Sequence, residues 1–478
     1  MHTKTLNWNT FDPERPIYFV GVGGCSMSGL ALLLLERDFM IAGSDTGAET
    51  ELRYLASRGV EVFHSHDASN MRASTQAVVS TVAAIPADTP ELVQARRMGI
   101  PIIDRAEVLA VLMQQALTRV AVAGTSGKTT TTSLIGHTLL ACGEDPTVSV
   151  GTRAAPFTEG GNYYNGGTST FVAEACEYHE AFRYLQPTTA VVLNVLPDHG
   201  DYYPAGTTAM AEAFQRFVYR IVPGGTLIVS SDDPHARTLH TEAGVRRVGV
   251  GFSAAADYRI RDVRCEEGRW TFSIHSPLGS HVLSPALLGK HNITNVATAF
   301  AAACDLGLPA EQAITALNGF KGAPRRLQPI GTVDGVSIWD DLACTPHEAS
   351  ATMDALRTVV GPHRIVVVLR PNSFTRVRDH FGQYAEVFRP QERIFLTDIF
   401  PGRDRTDHGM HASKLAQNIA SRGRNVEYVP DVNGRPAYDE LRRLVRGQLR
   451  PGDALITIGP ADITPVATAY RQAYGQSC

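Results

Sequence analysis

From Ile17 onward, short β-branched apolar runs alternate with longer stretches of helical periodicity. IYFVGVG is followed by SGLALLLLERD and MIAGSD, and the later runs VEVF, AVVSTVA and IPII continue the alternation. The pattern predicts a parallel sheet wrapped by helices, because parallel strands need long crossovers and helices supply them. A helical stretch from Ala106 to Leu117 precedes the strand RVAVAG, which places a first boundary at 117/118.

The second unit opens with the strand Arg119 to Gly124, a glycine-containing turn and a helix from Thr129 to Cys142. TFVAEA, TAVVLNV and GGTLIVSSDD follow as further strands, YRIRDVRCEEGRWTFSIHS alternates as an antiparallel hairpin, and ITNVATAFAAACDLG closes the unit as a helix. A third βα series runs from SIWDD through RIVVVLRP and RIFLTDIF to DALITIG. Pro324 and the glycines of KGAPRRLQPIG interrupt helix and mark the linker. The expectation is an α/β chain of three domains, 1–117, 118–322 and 323–478.

Composition narrows the function classes. A chain of 478 residues is too long for one ordinary core. Its net charge of −4 leaves no broad basic field for nucleic acid or an anionic membrane, so neither is expected as a partner. The first residues lack the apolar segment of a signal peptide and no run is long enough to span a membrane, so a cytoplasmic location is expected. Seven scattered cysteines without a CxxC pair indicate neither a disulfide framework nor a zinc site, and most read as small buried residues. Monomer and homodimer remain open.

The densest chemical signal is Gly124-Thr125-Ser126-Gly127-Lys128-Thr129-Thr130, between a strand and a helix. Backbone N–H groups in such a turn, with a helix N-terminus behind them, form an anion cradle. Lys128 would reach the terminal phosphates of ATP, and the Thr129 hydroxyl would hold Mg2+. Val122 stands where the longer form of this loop has its first glycine. Glu174 ends one strand and Asp198-His199 follow another, where α/β ligand sites form. A carboxylate and an imidazole there can hold a second magnesium ion. Transfer of phosphate to a carboxylate brings anions together, and Lys128, the metals and Arg325 or Arg326 would supply the cations.

The turn Gly21-Val22-Gly23-Gly24-Cys25-Ser26-Met27-Ser28-Gly29 only loosely matches a dinucleotide fingerprint. As such it would make Asp45 a ribose partner and the protein a nicotinamide oxidoreductase. Two phosphate turns in one chain favour a different division, in which the first holds the diphosphate of a nucleotide-linked substrate and the second holds ATP. A fold retained for binding without turnover, and an ATPase coupled to motion, are the other readings considered. Lys128, Glu174 and His199 argue against the former, and the absence of a basic surface, repeat or coiled coil against the latter.

Together these residues resemble the Mur ligases, most closely the family that joins UDP-N-acetylmuramate to L-alanine in peptidoglycan synthesis. The matching segments run from GVGGCSMSGLA (21–31) and GSD (43–45) through HDASN (66–70), GTSGKTTTTS (124–133), NVLPDHGDYY (194–203) and GKHNITNVATA (289–299) to PRRLQ (324–328), DD (340–341) and GPADI (459–463). The resemblance implies an N-terminal Rossmann-like domain for the UDP-sugar, a central P-loop ATPase domain and a C-terminal Rossmann-like domain that closes over the site. The activity implied is ATP-dependent amide ligation through an acyl phosphate, with ADP and phosphate released and with a nucleotide-linked or other carboxylate and an amino acid or amine as substrates. A relative diverted to a specialised pathway is the alternative.

By the same resemblance, Lys128, Glu174, His199 and Arg326 are catalytic, and Thr129, Glu174 and His199 are metal-linked. The ATP site comprises residues 124–130 with His291, Asn292, Asn295, Arg326 and Asp340. The substrates would meet Gly23, Ser26, Met27, Ser44, Asp45, His66, Asn70, Asp341, His347 and Arg376.

The departures cluster. Ser126 stands where the family reads histidine in GTHGKTT. Glu174-Ala175-Cys176-Glu177-Tyr178-His179 replaces EADESD, and residues 340–348, DDLACTPHE, replace DDYxHHPTE. Pro371-Asn372-Ser373-Phe374-Thr375-Arg376 replaces PHRYTR. These segments are expected to meet the amine and the reacting carboxylate, which predicts a divergent acceptor pocket beside an intact ATP loop. A ligand-free chain is expected to hold its outer domains open.

Overall fold

A computed structural model of the chain describes residues 11–47, 49–81, 84–151, 162–266 and 268–474. Three sheets follow one another along the chain, and the divisions at 117/118 and 322/323 fall between them.

Ile17–Val20 lies at the centre of the first sheet because all four of its residues are apolar and buried, as a strand covered on both faces must be. Its parallel neighbours are Ile41–Ser44 and Ala77–Ser80, with Glu61–Phe63 and Ile102–Asp104 at the edges. In chain order the strands run 3-2-1-4-5, the Rossmann-like arrangement with its crevice at the carboxyl end of the first strand.

The central sheet has ten strands. Thr118–Ala123 sits between Thr189–Val192 and Thr170–Glu174, all parallel. Its side chains alternate between two cores. Ala121 and Ala123 face a core continuous with that of the first domain, whereas Val120 and Val122 face the helices His291–Asp305 and Ala310–Gly319. The expected hairpin forms as Tyr258–Glu266 against Arg269–Ser276, antiparallel, and Gly279–Leu283 extends it.

The third sheet orders five parallel strands with Gln328–Val333 antiparallel along Val336–Asp341. The linker is therefore shorter than KGAPRRLQPIG, since its last residues pair as an edge strand. Pro329 is tolerated because the strand is at the edge and its register slips between Pro329 and Gly331.

Of the six cysteines described, Cys25 is exposed and the other five are half-buried, all with free thiols. They are not the small core residues expected, and Cys478 lies outside the described residues. No helix among these residues is long and apolar enough to cross a membrane.

The third domain is docked on the central one, not held apart as expected. Arg376 reaches Asp198, Glu348 accepts from Ser126, and Arg326 donates to the Thr129 hydroxyl at 3.2 Å.

Candidate active site

The P-loop closes because Gly127 adopts φ +88°, a left-handed conformation that starts the helix Lys128–Ala141. A Cβ at Gly127 would lie 2.7 Å from Asn295 Oδ1, so the cradle needs glycine for space as well as for conformation. The turn is pinned from the adjacent strand end. Ser126 N donates to Asn194 Oδ1 at 2.8 Å, and Thr125 Oγ1 accepts from Leu196 N at 2.9 Å.

Lys128 Nζ donates to both oxygens of Glu177, at 2.8 and 3.0 Å, and to Gly124 O at 2.5 Å. Burial alone would raise Glu177, but Lys128 and His199 overcome it and hold the carboxylate below its ordinary range. Asp198 shows the same balance, with Arg376 and His199 outweighing burial.

Glu177, Asp198 and His199 bring a ligand atom each to within 4.8 Å of one another. Two ionised carboxylates and one imidazole form a donor set that fits a small divalent cation. The expected set was Thr129, Glu174 and His199, and only His199 belongs to this group. Glu174 instead accepts from Gly151 N at 2.6 Å, and Thr129 is buried with its hydroxyl on Arg326. Glu177 was not singled out from sequence, although it keeps the second glutamate of the family's EADESD segment.

A cavity of about 410 Å³ lies on one side of the loop, lined by Ser126, Gly127, Thr130, His291, Asn292, Asn295 and Arg326. Arg326 Nε is buried there without a partner among the described residues, a donor suited to an anionic ligand. Asp341 and His347, expected to face the amine, line this same cavity. Burial, against Arg326 and two backbone N–H donors, pushes the Asp341 carboxyl up to about 6.

Asp340, expected at the nucleotide, does not reach the cavity. It is fully buried and accepts from Arg325 Nε at 2.9 Å, Thr457 Oγ1 at 2.5 Å and Thr464 Oγ1 at 3.1 Å. Successive residues of a strand point to opposite faces, so Asp340 and Asp341 cannot both face the nucleotide. The same contacts commit Arg325 to the third domain and leave Arg326 for the site.

A second cavity of about 680 Å³ lies between the first and central domains. Gly21, Gly24, Ser26, Met27 and Asp45 line one end, and Lys128, Glu174, Cys176 and Tyr178 the other. Gly23 is fixed at this turn by donating its N–H to Asp45 Oδ2 at 3.1 Å.

Ser44, His66 and Asn70 are not on this wall. Ser44 Oγ donates to Glu91 Oε1 at 2.7 Å, His66 Nδ1 lies 3.1 Å from the same oxygen, and Asn70 Nδ2 donates to Ser65 O at 2.9 Å. Arg376, expected to bind substrate, is taken up by Asp198. A small cavity of about 130 Å³ beside that pair is lined by Thr125, Ser126, Asp198, Thr345, His347 and Glu348. Two of the departures from the family pattern meet nearby, where Asn372 Nδ2 donates to Cys344 Sγ at 3.0 Å.

Known proteins match this arrangement along almost the whole chain. Family models described as "Mur ligase family, catalytic domain", "Mur ligase middle domain" and "Mur ligase, glutamate ligase domain" match residues 16–116, 122–303 and 325–460. The UDP-N-acetylmuramate–L-alanine ligase of Nitratidesulfovibrio vulgaris is 37% identical over 459 residues, covering 95% of this chain and 98% of its own. The enzyme of that name from Caldicellulosiruptor bescii is 31% identical, over 93% and 96%.

Among solved structures, UDP-N-acetylmuramate-alanine ligase MurC of Thermotoga maritima shares the fold with a TM-score of 0.82 at 23% identity, over 97% of this chain and 100% of that one. The murein peptide ligase of Psychrobacter arcticus has a TM-score of 0.71 at 20% identity, over 97% and 99%. Three matched domains in order, a P-loop between two cavities and near full-length identity above 30% agree: the chain belongs to the Mur ligase family, ATP-dependent enzymes that join an acid to an amino acid.

Proposed function

We propose that the chain activates the carboxylate of UDP-N-acetylmuramate, or a closely similar nucleotide-linked acid, as an acyl phosphate and couples it to a small amino acid. The observation that carries this reading is that the two large cavities meet at the P-loop. Lys128 stands on the wall of the acid-side cavity, and its neighbours Ser126, Gly127 and Thr130 stand on the wall of the nucleotide-side cavity. A γ-phosphate cradled by residues 124–130 would face the carboxylate across Lys128, which supports direct in-line transfer.

Glu177, Asp198 and His199 would hold Mg2+, which supplies charge neutralisation where the two anions approach. Lys128, already oriented by Glu177, adds a fixed cation there, and Arg326 binds phosphate from the third domain. The cavity of about 130 Å³ suits a small amine, and the docked third domain excludes water that would hydrolyse the acyl phosphate. Dependence on ATP and a nucleotide-linked acid fits a cytoplasmic location.

The test is ADP release by the purified chain with Mg2+, UDP-N-acetylmuramate and each amino acid in turn, with product masses recorded. A mass increase equal to a small amino acid less water is expected. The absence of ADP release with every amino acid would defeat the proposed acid. Efficient turnover of a large amino acid would defeat the proposed size of the acceptor.

A further inference from the structure

The cavity between the first and central domains carries one foreign side chain. Among the described residues, Arg403 is the only third-domain residue on its wall. Its guanidinium carbon lies 5.0 Å from the centroid of the Tyr178 ring. That ring also stacks on His199, centroids 4.4 Å apart at 27°, so Arg403 stands one ring away from the Glu177, Asp198, His199 group.

The other cations near this end are committed. Lys128 is paired with Glu177 and Arg376 with Asp198, whereas Arg403 makes no ion pair among the described residues. A guanidinium held on an aromatic face is positioned while its N–H fork stays available.

The loop that presents Arg403 is anchored at the next residue. Asp404 accepts from Ser373 Oγ at 2.8 Å, Thr375 N at 2.9 Å and Thr375 Oγ1 at 3.0 Å. Ser373 and Thr375 belong to the short segment that ends at Arg376, so the Arg376 to Asp198 contact that docks the third domain also sets the reach of Arg403.

We propose that Arg403 binds the reacting carboxylate of the acid substrate, so that the acid end of the cavity is complete only when the third domain is docked. This inference rests on the proposed acid and adds a residue from the opposite domain to its site. A planar fork matches a carboxylate with two parallel N–H···O bonds, and Tyr178, which replaces the serine of the family pattern, supplies the surface that holds the fork.

Binding of two probes to the full chain, measured by calorimetry with Mg2+ and a non-hydrolysable ATP analogue, tests it. UDP-N-acetylmuramate carries the carboxylate and UDP-N-acetylglucosamine lacks it. R403A is expected to weaken the former by about ten- to a hundred-fold, the range of a charge-assisted contact, and the latter by less than about two-fold. R403K should recover part of the loss, because it keeps the charge without the fork.

Equal weakening of both probes would make Arg403 a structural cation on Tyr178 and overturn the inference, as would no weakening of either. If the wild-type chain itself does not bind UDP-N-acetylmuramate, the proposed acid fails and this inference falls with it. If the wild type binds and R403A binds equally well, only this inference falls.

Discussion

Arg376 of the third domain grips Asp198 of the central domain with two parallel contacts, Nε to Oδ1 at 2.8 Å and Nη2 to Oδ2 at 2.9 Å. Asp198 is also one of the three residues grouped for a divalent cation, so domain docking and metal binding share a side chain. Breaking one partner of a largely buried pair leaves the other charge uncompensated, at a cost of about 3–5 kcal/mol. R376M is therefore expected to release the third domain. Small-angle scattering should show a larger radius of gyration than wild type, with ligase activity down by about a hundred-fold or more. An unchanged radius would show that other contacts hold the docked form.

Chelation is expected to abolish ADP release, and added Mg2+ to restore it. H199A should raise the magnesium concentration for half-maximal activity by about ten-fold or more, since it removes a donor from the group. E174Q should move it less, because Glu174 lies outside the group and accepts from Gly151 N. A larger shift for E174Q than for H199A would return the metal to the strand-end carboxylate expected from sequence.

Gly127 carries a positive φ and has Asn295 against the place a Cβ would occupy. G127A should weaken binding of a fluorescent ATP analogue by about ten-fold or more, combining about 1 kcal/mol of backbone strain with displacement of Asn295. The circular dichroism of the chain should be unaltered. Normal nucleotide affinity would mean that the loop relaxes without loss of its cradle.

Asp341 has a folded-state pKa of about 6 against an ordinary 3.8. A raised carboxyl favours the protonated folded form, so its contribution to stability is fully present below about 3.8 and is lost as pH rises to about 6. The difference corresponds to about 3 kcal/mol. D341N cannot ionise. Its melting temperature should therefore gain on wild type between about pH 4 and pH 6, and the gap should stay constant above pH 7. A gap that does not change across that window would place Asp341 in a wetter setting.

Asn372 and Cys344 touch, and both replace histidines of the family pattern. C344A and N372A should each alter the KM for the acceptor amino acid, and the double variant should be no worse than the worse single one, because both remove one contact. Additive effects would show that the two act separately.

The sequence by itself determined the domain order, the P-loop and the family. Those signals are local: β-branched runs between helical stretches, and a glycine turn followed by Lys128 and four threonines at a strand-to-helix junction. It also placed Arg326, His291, Asn292 and Asn295 in segments that do line one cavity. Only the tertiary structure decided which neighbour of each pair faces the site, because one residue along a strand or turn reverses the side chain. Asp341 lines the cavity and Asp340 does not, and Arg326 is left free where Arg325 is held by Asp340. The contacts of longest range were invisible for a different reason. Arg376 with Asp198 and Arg403 over Tyr178 join residues far apart in the chain, and their partners follow from how the domains dock, which no local pattern encodes.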